Sequence, residues 1–177
     1  MKFVVLISAL LVPAMAWAEM PYAGMQSRQV KALSDEQVAD LRAGRGMGLA
    51  LAAELNGYPG PSHVLELADQ LGLSPEQRSK VQSMLAAMKT ETTPIGTRLI
   101  AQEMDLDQQF AKRTVTADSL GSATAAIAKT QGELRQAHLK YHLLTEAVLD
   151  QPQLAKYAEL RGYSSDASAQ QQHHHHR

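Results

Sequence analysis

The sequence has no cysteine and very few aromatic residues. Without cysteine, the chain can have neither a disulfide framework nor a lipid anchor that needs a cysteine. Phe occurs twice and Trp once, and that single residue, Trp17, lies in the first segment. The core must therefore be built from Leu, Ala, Val, Ile and Met. This composition suits helices packed on helices better than a sandwich of sheets.

The chain also has no large excess of charge of one sign. Its 17 Lys and Arg residues are opposed by 18 Asp and Glu residues, for a formal net charge of −1. This balance gives no electrostatic reason to expect a nucleic-acid partner. No Ser/His/Asp, Cys/His or paired-carboxylate arrangement stands out either. We therefore expect a protein that is not an enzyme.

Only the start of the chain contains a long apolar run. Lys2 precedes the run Phe3–Val12, and an A-x-A cleavage signal ends at Ala18. This pattern predicts a signal peptide over residues 1–18. An uncleaved anchor is the alternative, but the segment from Phe3 to Ala18 is about 16 residues and a membrane span needs roughly 20. We expect an exported protein, periplasmic in a Gram-negative host, with no membrane insertion after cleavage.

Two seams of residues that recur every three or four positions predict a pair of long helices. The first seam consists of Val81, Leu85, Met88, Thr92, Ile95, Leu99, Gln102 and Leu106, and the second of Leu120, Ala123, Ile127, Thr130, Leu134, Ala137, Tyr141, Leu144 and Val148. We predict helices over Pro75–Phe110 and Ala117–Leu149. The short turn between them makes an antiparallel hairpin.

Pro94 lies inside the first of these helices. A proline removes one backbone hydrogen bond and clashes with the preceding turn, so either the helix is kinked or two helices meet near Thr93. The seam keeps its phase across Pro94, which favours one kinked helix.

Three segments share one helix-start pattern, in which a capping residue stands three positions before a Gln. They are Leu33-Ser-Asp-Glu-Gln37, Leu73-Ser-Pro-Glu-Gln77 and Leu149-Asp-Gln-Pro-Gln153. The first predicts a short helix over Asp35–Ala43, ended by a glycine cluster at 44–48 that we interpret as a helix break. Further short helices are predicted over Met47–Leu55, over His63–Gln70 with Ser62 as its cap, and from Asp150 to about Arg161.

The predicted organisation has four parts. Residues 1–18 form the signal peptide, 19–32 a loose lead-in and 33–163 one helical domain. Residues 164–177 form a polar tail, which we expect to be disordered. The tail contains His173–His176, and this run is either a native metal-capturing segment or the remnant of a tag.

The three capping segments resemble the L-T-x-x-Q motif of the Spy/CpxP family of periplasmic stress proteins. The chain is also similar to the related heavy-metal-resistance and metal-sensor proteins, the ZraP-like and CnrX-like groups. The resemblance covers residues 33–163. The last motif departs from the pattern, because Asp150 replaces Thr and Pro152 is displaced by one position.

The resemblance implies a fold and a set of functions. Members are not enzymes and are often cradle-shaped homodimers of helical hairpins. They bind unfolded client proteins, restrain a membrane signalling partner, or bind metal ions. The resemblance does not indicate which of these functions this chain has.

A histidine pair offers the clearest candidate for metal chemistry. His138 and His142 are four residues apart, so one helix face carries both imidazoles. Met88 on the facing helix and His63 on a short helix are candidate further ligands. These residue types suit a divalent or soft ion such as Zn, Cu or Ni. The alternatives are solvated or partner-contacting histidines, and Met88 as core filling.

Two functions follow as hypotheses. The first is a metal-binding or metal-sensing accessory protein of envelope stress or heavy-metal resistance. The second is an ATP-independent chaperone or a modulator of stress signalling, because the hairpin seams carry more apolar surface than one small domain can bury. A shift of the melting temperature by Zn, Cu or Ni would favour the first.

Overall fold

A computed structural model of the chain describes residues 22–163, and this part is helical with no strand. The predicted signal peptide and the polar tail with His173–His176 lie outside the described residues. The six helices are α1 Asp35–Ala43, α2 Leu51–Glu54, α3 Pro61–Glu66, α4 Pro75–Ala111, α5 Ala117–Glu146 and α6 Gln151–Leu160. Within residues 22–163, no helix has both the length and the apolar character that a membrane crossing requires.

The long pair α4 and α5 confirms the predicted hairpin. The two helices pack along each other after a short turn at 112–116. α4 continues through Pro94 as one helix, so the alternative of two helices meeting near Thr93 is wrong. The middle of each seam is buried, whereas Leu120 and Leu144 near the ends of the second seam are exposed.

The capping pattern forms in full at the starts of α1, α4 and α6. At each start the capping oxygen accepts a hydrogen bond from the backbone N–H of the Gln, and the Gln side chain accepts one from the backbone N–H of the capping residue. α1 covers the residues that the sequence predicts. These boxes fix where the helices begin.

Two short helices differ from their prediction. The helix expected over Met47–Leu55 is reduced to the single turn α2, because Met47 and Gly48 both have positive φ angles of 44° and 76°. α3 begins at Pro61 and its N-cap is Gly60, so Ser62 is not the cap. Pro61 takes the first helical position, where its missing N–H is not needed.

The core consists of two clusters along the hairpin. One joins α1, α4 and α5 through Val38, Leu41, Leu99, Ile100, Ile127 and Leu134, and it also contains Val30 from the lead-in. The other joins α3, α4 and α6 through Val64, Ala68, Leu71, Leu73, Val81, Leu149 and Tyr157. Met88 lies on α4 between Val81 of one cluster and Leu99 of the other, and it is itself buried, at 7% exposed.

α1 approaches α4 at a glycine. A Cβ added at Gly96 would lie 2.5 Å from the carbonyl oxygen of Leu41. Only a residue without a side chain allows this contact. The contact holds α1 against α4, and α1 in turn ends at Gly44, where the segment that crosses the middle of the hairpin begins.

Candidate functional site

A cavity of about 440 Å³ lies against α4 and α5, closer to the open end of the hairpin than to its turn. Its walls come from α2, α3, α4, α5 and the glycine segment Gly44–Gly48, which we call the glycine loop. All four residues of the predicted metal site line this cavity: His63, Met88, His138 and His142. The four residues chosen from the sequence therefore lie around one cavity in the folded chain.

His142 is held by the backbone before α3. Its Nδ1 lies 2.7 Å from the carbonyl oxygen of Tyr58, and the side chain belongs to a residue that is 8% exposed. A carbonyl can only accept a hydrogen bond, so Nδ1 carries the proton. In the tautomer with its proton on Nδ1, the ring has its lone pair on Nε2. This is the arrangement of a metal-ligating histidine whose other nitrogen donates to a carbonyl.

His138 has no comparable support. The residue is 2% exposed, and its Nε2 is buried without a hydrogen-bond partner among the described residues. Burial, and then the charge of His142, lower the pKa of His138. The ring is therefore neutral at neutral pH, the form that ligation needs. A buried ring nitrogen without a partner is costly, so such a group calls for an explanation.

Glu54 at the end of α2 is a site residue that the sequence analysis missed. It is 5% exposed and lies among three other elements. Its Oε1 accepts hydrogen bonds from the Tyr157 hydroxyl and from His63 Nδ1, the latter at 3.2 Å, and its Oε2 accepts one from Gly60 N–H at 3.1 Å. Its Oε2 also lies 3.7 Å from His142 Nδ1.

These donors keep Glu54 ionised. Burial opposes ionisation, but the hydrogen bonds from His63, Tyr157 and Gly60 outweigh it and lower the pKa of Glu54 to about 2. Burial and the bond to Glu54 raise the pKa of Tyr157, so the hydroxyl stays a donor. The carboxylate therefore connects α2, α3 and α6 beside the cavity.

One signal in the sequence could have found Glu54. It is the single charged residue in the stretch 47–55, which otherwise consists of apolar residues and glycine. A lone carboxylate in an apolar helix has to be paired if it is buried. Its partner Tyr157 is 103 residues away, and no local pattern predicts that contact.

Gly60 sets the position of His142. A Cβ added at Gly60 would lie 2.9 Å from Cε1 and 3.0 Å from Nε2 of His142. The histidine ring therefore fills the space that a side chain at position 60 would need. The tight contact with Gly60 and the hydrogen bond to Tyr58 together fix the position of the ring.

The cavity residues make a soft donor set. The imidazoles of His138 and His142 and the thioether of Met88 line the cavity, whereas the Glu54 carboxylate already accepts three hydrogen bonds. Within residues 22–163, no three His, Asp or Glu side chains are arranged to hold an ion. A metal ion in this cavity would therefore need a thioether or a water as its third ligand.

No protein-family model, no curated protein and no solved structure matches this chain. The Spy/CpxP resemblance therefore rests on the capping motifs, and family membership stays a prediction. The function has to be argued from the cavity itself.

Proposed function

We propose that this chain is a non-enzymatic metal-binding protein, exported to the periplasm, that serves metal sensing or metal resistance. The observation that supports the proposal is that His138, His142, Met88 and His63 line one cavity. The Nε2 of His138 is also buried without a hydrogen-bond partner among the described residues.

The helix supplies pre-organisation for such an ion. His138 and His142 are one turn apart on α5, and the Tyr58 carbonyl fixes the tautomer of His142. Ligands held on a rigid helix lose less entropy on binding than ligands on loops. Two ligands from one helix seldom suffice, so α4 contributes Met88 as the third.

Calorimetric titration with Zn, Cu and Ni tests the proposal. The protein should be the chain with His173–His176 replaced by Ser, because the tail histidines would bind metal themselves. We expect binding at micromolar concentration, and we expect the variants His138→Gln and His142→Gln each to weaken it by about tenfold or more. Gln131→Ala is the matched control, since Gln131 is exposed on the same helix.

Two results would reject the metal proposal. One is the absence of binding of any of the three metals to the tail-substituted protein. The other is binding that survives both histidine substitutions, because the site would then lie elsewhere.

A second candidate function is an ATP-independent chaperone or a modulator of a stress-sensing partner. It is favoured by large apolar side chains that stay exposed on the hairpin, namely Phe110, Leu120, Leu143 and Leu144. Such side chains can bind unfolded clients. The test is aggregation of several unrelated unfolded proteins with and without equimolar chain. An unchanged aggregation rate for all of them would end this candidate.

We also propose that the chain forms a cradle-like homodimer through the hairpin. The supporting feature is a shallow groove on the outer face of α5, which we call the α5 groove. It is lined by Gly132, Arg135, Gln136, Leu139, Lys140 and Leu143. No other helix of the described chain covers this face, and a two-fold partner would bury the same patch on both copies.

A further inference from the structure

We propose that Met47 on the glycine loop is a further ligand of the cavity and that the ion it selects is Cu(I). This inference rests on the metal-binding function proposed above. Met47 lines the same cavity as Met88, His138 and His142. None of the sequence patterns predicted a role for it, because the glycine loop is also an ordinary helix break.

The backbone at Met47 is unusual. Its φ angle is 44°, in the left-handed region that disfavours residues with a Cβ, and Gly or Asn is the common choice there. Packing does not account for a methionine at this position, because the residue is 38% exposed. A strained, half-exposed apolar residue at the edge of a cavity is an observation that points to a role for its side chain.

The donor set explains the choice of metal. With Met47 the cavity has two thioethers beside the imidazoles of His138 and His142, and thioethers favour Cu(I) over Zn(II) and Ni(II). Two carboxylates line the cavity. Glu54 is committed elsewhere, because both of its oxygens already accept hydrogen bonds, and Glu66 is exposed on α3.

The glycine loop also passes next to His138. A Cβ added at Gly46, the residue before Met47, would lie 3.6 Å from Nδ1 of His138. The loop backbone therefore passes directly over that ring. A ligand on a short loop can close over an ion that enters from solvent, while the three ligands on α4 and α5 stay in place.

Competition for Cu(I) against a chromogenic chelator, under anaerobic reducing conditions, tests the inference. The protein is the chain with His173–His176 replaced by Ser, and the variant is Met47→Leu, which keeps an apolar side chain of similar size without the thioether. Loss of an outer-shell partner typically costs about 10–100-fold in metal affinity, so loss of a direct ligand should weaken Cu(I) binding by at least about tenfold. Met104→Leu is the control, since Met104 packs against the core cluster that joins α1, α4 and α5 and does not line the cavity.

The outcomes separate this inference from the function on which it rests. If the tail-substituted protein with Met47 binds Cu(I) and its Met47→Leu variant binds it equally well, Met47 is not a ligand and metal binding stands. If the tail-substituted protein with Met47 binds neither Cu(I) nor a divalent ion, both proposals fail. X-ray absorption at the copper edge of the tail-substituted protein with Met47 gives a check without a change at any proposed ligand. Two sulfur neighbours support the inference, and one or none overturns it.

Discussion

The side-chain amides of Gln77 and Gln153 hydrogen-bond to each other in both directions. Gln77 Nε2 donates to Gln153 Oε1 at 2.8 Å, and Gln153 Nε2 donates to Gln77 Oε1 at 3.0 Å. Gln77 Nε2 also lies 2.9 Å from the carbonyl oxygen of Val148. Gln77 and Gln153 therefore complete their capping boxes and also link the beginning of α4 to the beginning of α6 by hydrogen bonds, next to the end of α5.

The first prediction concerns this amide pair. Gln153→Ala should lower the free energy of unfolding by about 2 kcal/mol, because it leaves a half-buried amide of Gln77 without its partner. Gln37→Ala is the matched control, since Gln37 has the same role in the capping box of α1 but is exposed. It should cost less than about 1 kcal/mol. Urea denaturation measures both, and equal losses would show that the pair adds nothing.

The second prediction is a pH dependence of stability that comes from Glu54. Its pKa is lowered from 4.5 to about 2 on folding. Between pH 4.5 and about 2 the unfolded chain binds more protons than the folded chain. The contribution of Glu54 to stability is therefore full above about pH 4.5 and is lost as the pH falls towards 2. At about 1.4 kcal/mol per pKa unit, the contribution is roughly 3 kcal/mol.

The variant Glu54→Gln should remove this acid dependence. Glu103 provides a control of opposite sign, because burial raises its pKa and its ionisation disfavours the folded state. Glu103→Gln should therefore leave the loss of stability between pH 4.5 and 2 in place. Unfolding curves at several pH values measure the slopes. Equal slopes for the wild type and Glu54→Gln would contradict the assignment.

The third prediction concerns the space around His142. Gly60→Ala should push the ring away and destabilise the fold by about 1–3 kcal/mol, the usual cost of overpacking. It should also weaken metal binding, although position 60 supplies no ligand. Gly121→Ala is the control, because nothing lies within 4 Å of a Cβ added there. Gly121 is an exposed residue in the second turn of α5, so this change should stabilise by about 0.5–1 kcal/mol.

The fourth prediction concerns assembly. Leu143 is 56% exposed in the α5 groove, and Leu143→Glu should prevent the proposed homodimer by placing two carboxylates in the interface. Leu55→Glu is the control, because Leu55 is equally exposed, at 57%, but lies outside the α5 groove. Sedimentation velocity distinguishes the states. A wild-type chain that stays monomeric at high concentration would reject the dimer.

Local patterns predicted the parts of the fold that local chemistry decides. Ser34, Ser74 and Asp150 cap the helices they were expected to cap, and the two seams meet in the hairpin. The helix expected over Met47–Leu55 is wrong, because the glycine loop takes positive φ angles that apolar content does not reveal. A hydrophobic run predicts burial more securely than it predicts backbone conformation.

The candidate site was predictable only in part, for the same reason. Spacing along one helix placed His138 and His142 together, and the antiparallel hairpin placed them level with Met88. Glu54 was missed because its partners come from α3 and α6, far along the chain. Met47 was missed because a loop residue has no period from which its position can be calculated.

The proposed function depends on an ion bound between the imidazoles of His138 and His142. An anomalous difference map from crystals of the tail-substituted chain, grown with Cu(I) under anaerobic conditions and measured above the copper edge, tests this site most directly. We expect one strong peak inside the cavity, in contact with both imidazoles and with Met88. A map with no peak in the cavity, or with peaks only on the outer surface of the hairpin, would rule out the site.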